Sequence, residues 1–509
     1  MAETIGSEMT KGDNPAPVTL FRGYDTVARG MLTGCAVKGG FENTGEGGTI
    51  RVEVCESLSQ LAEALEIDAS LSVSYLKAAK VTAKMEFAKK LDVTARSVSI
   101  VVYASRRTGT WTAKGVELEK GVAAPTDDDS AADFAQSYGD SFISSVTLGS
   151  EYFAVYIFRT ETREEQQELA TSLRGKIGGG STVKAGAQVK LSNFLKETKT
   201  NWTLRQEING ANAAFPDETQ LIEFARNFSK LTPGAPVTTG IKVSGYESVQ
   251  KFGRKFAPVV RNRRYFLNSD DGLLGSLARL TAVRNQVSWL RRIYDRYNYQ
   301  GDPALLTFET KLVADIRAIN RQIEAWEDDA AGKFVAPALP SLEAGEPVLQ
   351  FEEGSKSWGG TAPGPWIVDS IGEMIRNRTR IQSIQIGSGK FDDRDLLTRF
   401  DIQYASDKRN WPEKHGNENP AFWGQKLTVE EGKFLVRLEI RWGRYVDWIR
   451  VHLSNGRSTE AGGGGGGYED WKVPDGWFVV GFTGRSGLVI DQLEVLYAKL
   501  NPARMVRPN

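Results

Sequence analysis

Tyr138-Gly139-Asp140-Ser141-Phe142-Ile143-Ser144-Ser145-Val146-Thr147-Leu148-Gly149-Ser150 is the stretch on which the fold turns. A helix-prone run, residues 131–136, leads into Gly139. A strand-like run over 142–148 breaks at Gly149 and resumes over 152–158. A glycine inside a strand marks a bend, because without a Cβ the backbone reaches φ > 0 at no steric cost. The expected element is one long strand bent at Gly149. An ordinary bulged strand reads the same way, so the flanks have to decide.

Upstream, Leu65, Ile67, Ala69, Leu71, Val73 and Tyr75 alternate with polar residues, and so do Val81, Ala83, Met85 and Phe87. Period two predicts a strand with one apolar and one wet face. That face belongs either in a sandwich core or in a barrel wall with lipid on one side and water on the other. About 20 residues per arm at roughly 3.3 Å each would span about 66 Å, more than a bilayer of about 40 Å. Downstream, residues 161–176 read as a charged helix broken at 178–180. The alternation then returns at Val183, Ala185, Ala187, Val189 and Leu191, and again over 202–208. Asp217 is placed to cap a helix whose face is Leu221, Phe224, Ala225 and Phe228.

Tyr138, Gly139, Phe142 and Gly149, with two such segments around them, resemble the signature region of the membrane-attack-complex/perforin and cholesterol-dependent cytolysin superfamily. Asp140 departs from the usual Thr or Ser, Ser141 from the usual His, and Ser150 from a second glycine. Arg22-Gly23-Tyr24-Asp25 is similar to that family's first strand. The resemblance implies an α+β domain, a bent antiparallel sheet flanked by two helical clusters. It also implies a homo-oligomeric ring on a target cell's lipid bilayer, in which residues about 65–104 and 160–209 unroll into β-hairpins. Val81, Ala83, Met85, Phe87, Val183, Ala185, Ala187 and Val189 would then be the membrane-inserting residues.

The chain has 509 residues, 64 basic and 64 acidic, so no global field draws it to nucleic acid or anionic lipid. Its length implies two or three domains at about 100–200 residues each. The organisation read here is a disordered tail at 1–17, the perforin-like domain at 18–250, a helical connector at 251–340 and an all-β domain at 341–509. Arg261, Arg263, Arg264, Arg291, Arg292 and Arg296 in the connector form either a solvated helix face or a headgroup site. Cys35 and Cys55 allow one disulfide at most. No run approaches 18 consecutive apolar residues and the start is polar. The expectation is a protein without a signal peptide, cytoplasmic or released without a classical signal, which could span a membrane only as a closed barrel.

Beyond a Pro-rich break at 337–347, tryptophan concentrates and the chain repeats itself. Residues 432–451 align without a gap on 476–495, and a looser third copy runs over 381–404. Three β units point to a three-sheet prism, and here the sequence resembles jacalin-related lectins. In that family a Gly-x-x-x-Asp loop holds a sugar. The resemblance implies carbohydrate-binding loops at Gly487, Leu488, Val489 and Asp491 and at Gly443, Tyr445 and Asp447. The third copy has Thr398 where the Asp would fall. The alternative is that both Asp residues only cap their turns. The six glycines Gly462 to Gly467 read as a flexible loop, since no Lys-Ser or Lys-Thr follows them.

Only His415 and His452 exist in the chain, with no Gly-x-Ser-x-Gly elbow and no Walker loop. The expectation is a non-enzyme without cofactor or metal, and the acidic run Asp127 to Asp129 reads as a solvated turn. The combined expectation is a pore-forming toxin or defence protein, insecticidal in one version. Its partners are glycoprotein or glycolipid glycans, and it has no nucleic-acid partner. The competing expectation is a soluble carbohydrate-binding or defence-signalling protein whose perforin-like domain does not insert.

Overall fold

The computed structural model describes residues 17–26, 30–67, 87–88, 90–94, 96–179, 182–198, 200–232, 234–250, 252, 272–328, 338–339, 345–361, 364–366, 368–407 and 410–506. Val81, Ala83 and Met85, the tail at 1–16, and Arg261, Arg263 and Arg264 lie outside the described residues.

The N-terminal half is organised by an antiparallel sheet. Its strands are β1 (Gly23–Asp25), β2 (Gly30–Met31), β3 (Val37–Thr44), β4 (Gly47–Cys55), β5 (Ser97–Leu118) and β6 (Ser141–Arg159). A small ribbon, β7 (Gly178–Gly179) and β8 (Thr182–Val183), stands apart, and β9 (Trp202–Asn209) and β10 (Val237–Gly245) complete the large sheet. The two long strands β5 and β6 pair along their length, and both change outer partner at the same level. On β6, β10 pairs with residues up to Gly149 and β9 takes over from Glu151. On β5, β4 pairs up to Arg107 and β3 from Thr110, with a bulge between Arg107 and Gly109.

Gly149 sits at this exchange, and its role differs from the expectation of a left-handed hinge. Its φ is not positive; a Cβ there would lie 2.2 Å from the carbonyl oxygen of Arg106. The absence of a side chain lets two backbones approach, and Ser150 is tolerated because only the neighbour needs that space. Gly139 is the position with a positive φ, 75°, where it ends the helix Asp128–Tyr138. Asp127 caps the start of that helix by accepting from the Ser130 amide. Phe142 is buried beside it with Phe134, Tyr246 and Phe252. The four signature residues are therefore a structural joint.

From Tyr152 to Phe158, β6 is buried on both faces. Phe153, Val155 and Ile157 pack with Leu61, Leu65, Ile67, Phe87 and Leu91. Tyr152, Tyr156 and Phe158 pack on the opposite face with Leu173, Ile177, Leu191 and Phe228. Alternation along the strand sends successive side chains to different layers. The layers come from the segments that leave the sheet after β4, after β6 and after β9. The helix Leu58–Ala64 and Phe87, which meets Phe153 edge-on at 4.6 Å, cover one face. The helices Arg163–Ile177, Ala187–Glu197 and Leu221–Asn227 cover the other.

The period-two run from Val183 to Leu191 is a strand only at Val183, and from Ala187 onward it is helical. Ala187, Leu191 and Leu195, spaced by four, reach the core, while Val189 is left 63% exposed. Helical spacing won because it buries three residues against the sheet. Asp217 does not cap the helix Leu221–Asn227; the cap is Gln220, without a side-chain bond.

The C-terminal half holds three antiparallel sheets. The first orders Glu346–Gly359, Ile490–Val506, Phe478–Ser486 and Pro365–Trp366. The second orders Asn410–Gly416, Arg394–Ala405 and Arg380–Phe391, with Phe422–Trp423 and Leu427–Thr428 beside the last. The third orders Ser458–Gly462, Val446–Leu453, Leu435–Trp442 and Gly467–Lys472. Ile386, Phe400, Ile440, Ile449, Phe482 and Val495 fill one core between them.

The helices Leu273–Arg296 and Pro303–Asp328 share that core instead of forming a freestanding connector. Gln286 donates to the Pro347 carbonyl at 2.7 Å, Tyr297 to the Thr379 carbonyl at 2.7 Å, and the Ala503 amide to Asp302 at 2.7 Å. Arg291 pairs with Glu309 and Arg296 with Asp407, so these two arginines are already engaged within the fold. Across the junction of the two halves, Arg96 pairs with Glu346 at 2.8 Å and Asn285 donates to the Val93 carbonyl. Cys35 and Cys55 are both free; burial pushes the Cys55 thiol up to about 12.

Gly149→Val is expected to cost about 1–3 kcal/mol by forcing β5 and β6 apart, measured by urea unfolding. Gly240→Ala is the control: its Cβ meets nothing nearer than 3.7 Å, so the midpoint should move by less than about 0.5 kcal/mol.

Candidate functional site

The hairpin tips of the prism repeat one local geometry. In the third sheet the Gly443 amide donates to the Tyr445 carbonyl at 2.9 Å, and in the first the Gly487 amide donates to the Val489 carbonyl at 3.0 Å. Both tips follow a register shift, at Arg441/Trp442 and at Arg485/Ser486. Each returns along its second strand with an aspartate, Asp447 or Asp491, at an equivalent position.

A glycine pair from elsewhere in the chain closes over each aspartate backbone. The Gly463 amide donates to the Asp447 carbonyl at 2.9 Å, and the Gly360 amide to the Asp491 carbonyl at 2.9 Å. The preceding residues, Gly462 and Gly359, have φ of 122° and 103°, and a Cβ on either would fall 2.2 Å from the aspartate carbonyl oxygen. Only glycine fits such a junction. The second sheet repeats it with Gly416 and Asn417 against Thr398, the Asn417 amide donating at 2.7 Å. Arg394 and Thr398 occupy the places of the tip glycine and the aspartate there. The third copy keeps the frame and lacks the carboxylate.

The three tips meet at one end of the prism. A Cβ on Gly360 would strike the Arg444 carbonyl, one on Gly463 the Asp395 carbonyl, and one on Gly416 the Ile490 side chain. Phe391 and Tyr445, from different copies, pack edge-on at 5.7 Å.

Both aspartates are buried, at 7% and 6% exposure. Burial raises the Asp447 carboxyl above the ordinary aspartate value, with Arg394 pulling it back. Burial raises Asp491 as well, opposed by Arg444 and the Gly487 amide. Asp447 Oδ2 is buried with no hydrogen-bond partner. A buried acceptor without a donor is costly, and it invites a ligand hydroxyl. The run Gly462 to Gly467, expected as a flexible loop, wraps this carboxylate. A Cβ on Gly465 would lie 3.0 Å from Oδ1 and one on Gly466 2.4 Å from Oδ2.

Of the residues expected at these sites, Gly443, Gly487 and Leu488 are exposed, and Tyr445 is half-buried under the Arg444 guanidinium. Val489 is only 2% exposed, so its side chain belongs to the core and only its backbone faces the turn. Gly359, Gly360, Gly462, Gly463 and Arg394 also surround the two aspartates, and the Gly-x-x-x-Asp spacing does not point to them. The readable signal was the pair of glycines at matching places, 359–360 and 462–463. Turn capping alone does not account for a carboxylate oxygen without a donor.

Residues 355–496 match the family model of the Jacalin-like lectin domain. Similar solved structures include the mannose-binding lectin from Champedak, at 21% identity over 30% of this chain and 97% of that one, TM-score 0.24. Frutapin, a lectin from Artocarpus incisa, is 22% identical over 29% of this chain and 97% of that one, TM-score 0.24. A mannose-binding jacalin-related lectin from Ananas comosus is 18% identical over 30% and 99%, TM-score 0.24. A search of curated proteins returns no match. The C-terminal prism is a jacalin-like lectin domain.

A raised carboxyl value means that the charged form opposes folding. At neutral pH, Asp447→Asn is therefore expected to melt at a higher temperature than the wild type. The gap should close as pH falls below about 3.9, where both folded and unfolded chains hold the proton. Scanning calorimetry from pH 3 to 7 checks this. A gap independent of pH would mean that the carboxylate is not desolvated.

Proposed function

We propose that this protein is a glycan-directed pore former: the prism attaches it to membrane glycans, of the mannose type bound by the lectins from Champedak and Ananas comosus, and the N-terminal half inserts. The observation that carries the second part is topological. In one half of the sheet the strand order is β4-β5-β6-β9. The segment between β4 and β5 and the segment between β6 and β9 both leave from the same end, where Cys55 faces Ser99, Ser97 faces Arg159 and Phe158 faces Trp202. Each segment joins antiparallel strands that lie in this four-stranded half. Straightening both into hairpins would extend four strands without repairing any pair, which suits a barrel wall assembled from many copies.

The second segment supports this reading. As a helix it leaves Val189 exposed; as a strand, Val183, Ala185, Ala187 and Val189 would share one apolar face. The sequence suits both states, a requirement for a segment that changes structure. The resemblance to perforin-type proteins points the same way. In this reading the chain is not an enzyme and oligomerises as a ring on the target bilayer. Two carbohydrate sites per prism give weak individual contacts, and a ring multiplies them.

The test is a cysteine-free background, with Cys35 and Cys55 changed to serine, carrying a polarity-sensitive dye at 82, 83, 84 or 85. With mannose-bearing vesicles, dyes at Ala83 and Met85 should turn apolar while those at Thr82 and Lys84 stay wet, and trapped dye should leak. Asp447→Ala with Asp491→Ala should lower vesicle binding at least tenfold and leakage with it. Binding without leakage and without any dye response would instead identify a soluble lectin.

A further inference from the structure

A cavity lies between the end of β6, the start of β9 and the short helix Ile371–Arg376. It measures about 230 Å³, and its lining includes Arg159, Glu165, Glu168, Asn201, Glu373 and Arg376. A water occupies about 30 Å³ and drug-sized pockets start near 300 Å³. The space therefore suits a group of a few heavy atoms.

Two of the residues that line it carry donors without a partner. Arg159 is 7% exposed, its Nε is buried without a partner, and it makes no ion pair among the described residues. Asn201 is 5% exposed and its side-chain Nδ2 is likewise unpartnered. The Arg159 amide and the Asn201 carbonyl hydrogen-bond at 2.9 Å, which fixes the two residues side by side. A buried cation without a counter-charge is among the costliest things a fold can hold.

The surrounding charges do not relieve it. Glu165 is engaged by Arg376 at 3.5 Å and by the Glu161 amide, and Glu373 turns back to cap its own helix. Glu168 is exposed at the rim. Glu161 is buried, and loss of solvent pushes its carboxyl up to about 8, which disfavours the charge that could have paired with Arg159. Arg292 and Arg378 add positive potential near Arg159, and Asp92 opposes it without forming a pair.

We propose that this cavity binds a tetrahedral oxyanion of the phosphate or sulfate class, held by the Arg159 guanidinium and the Asn201 amide. Either a free anion or a phosphomonoester lipid headgroup supplies that chemistry. The bound anion would lie where the helix Arg163–Ile177 begins and where the prism contacts the N-terminal half, so its occupancy would tie the two together.

The full-length protein is titrated with inorganic phosphate and with sulfate at constant ionic strength made up with chloride, and followed by calorimetry and thermal unfolding. A saturable rise in melting temperature beyond the chloride control is expected. Arg159→Gln should weaken the affinity at least tenfold. Asn201→Asp places a built-in counter-charge beside Arg159; it should fold, melt no lower than the wild type, and lose the anion response. This second variant decides the matter if Arg159→Gln does not fold. Flotation with phosphatidylcholine vesicles, with and without phosphatidic acid, separates the sources. Retention that needs phosphatidic acid and is lost in Asn201→Asp assigns a headgroup, and an anion response without retention assigns a free anion. No saturable response to either probe, or a response that Asn201→Asp leaves unchanged, overturns the proposal.

Discussion

Everything in the N-terminal half depends on the approach of two backbones at Gly149 and Arg106. Hydrogen bonding along β5 and β6 demands a constant strand spacing, and the exchange of outer partners at that level demands a change of direction. A bulge at residues 107–109 and a missing side chain at 149 meet both demands within a few residues. Above the crossing, β3 and β10 flank the central pair; below it, β4 and β9 do. The lower half is where the connecting segments hang. Its central strands are apolar on both faces because each face has its own helical cover.

The prism obeys a different constraint, the reuse of one junction three times. Gly359, Gly416 and Gly462 each stand where a Cβ would run into a carbonyl oxygen of the facing strand. The frame is held by backbone geometry, so the residue it presents is free to vary: aspartate at 447 and 491, threonine at 398. The desolvated carboxylates have a cost in stability that the frame itself does not share, and such costs are typical of positions kept for binding.

The long strand through Gly149, the repeat in the C-terminal half and the equivalent places of both aspartates are legible in the sequence, because each leaves a local trace: a glycine between two strand-like runs, an ungapped alignment, a fixed spacing. What depends on distant chain leaves no such trace. Nothing local says that Gly359 lies against Asp491, or that Gly466 cups Asp447. The period-two run at 183–191 shows its own apolar face and says nothing of its neighbours. The sheet offered Ala187, Leu191 and Leu195 a better burial as a helix, and tertiary packing overrode the pattern. The two helices at 273–328 looked like a connector because their charged faces dominate the sequence; their apolar faces complete the prism core.

The fusion of that helical pair with the prism has a mechanical consequence. Tyr297 stacks on Phe478 at 4.4 Å and Asp302 holds the Ala503 amide, so helices and prism share one core and would move as one body. The contacts from this body to the sheet include Arg96, on the residue just before β5 begins, gripping Glu346 at the start of the prism's first strand. A pull on the tips that carry Asp447 and Asp491 would reach, through that grip, the strand end from which both connecting segments depart.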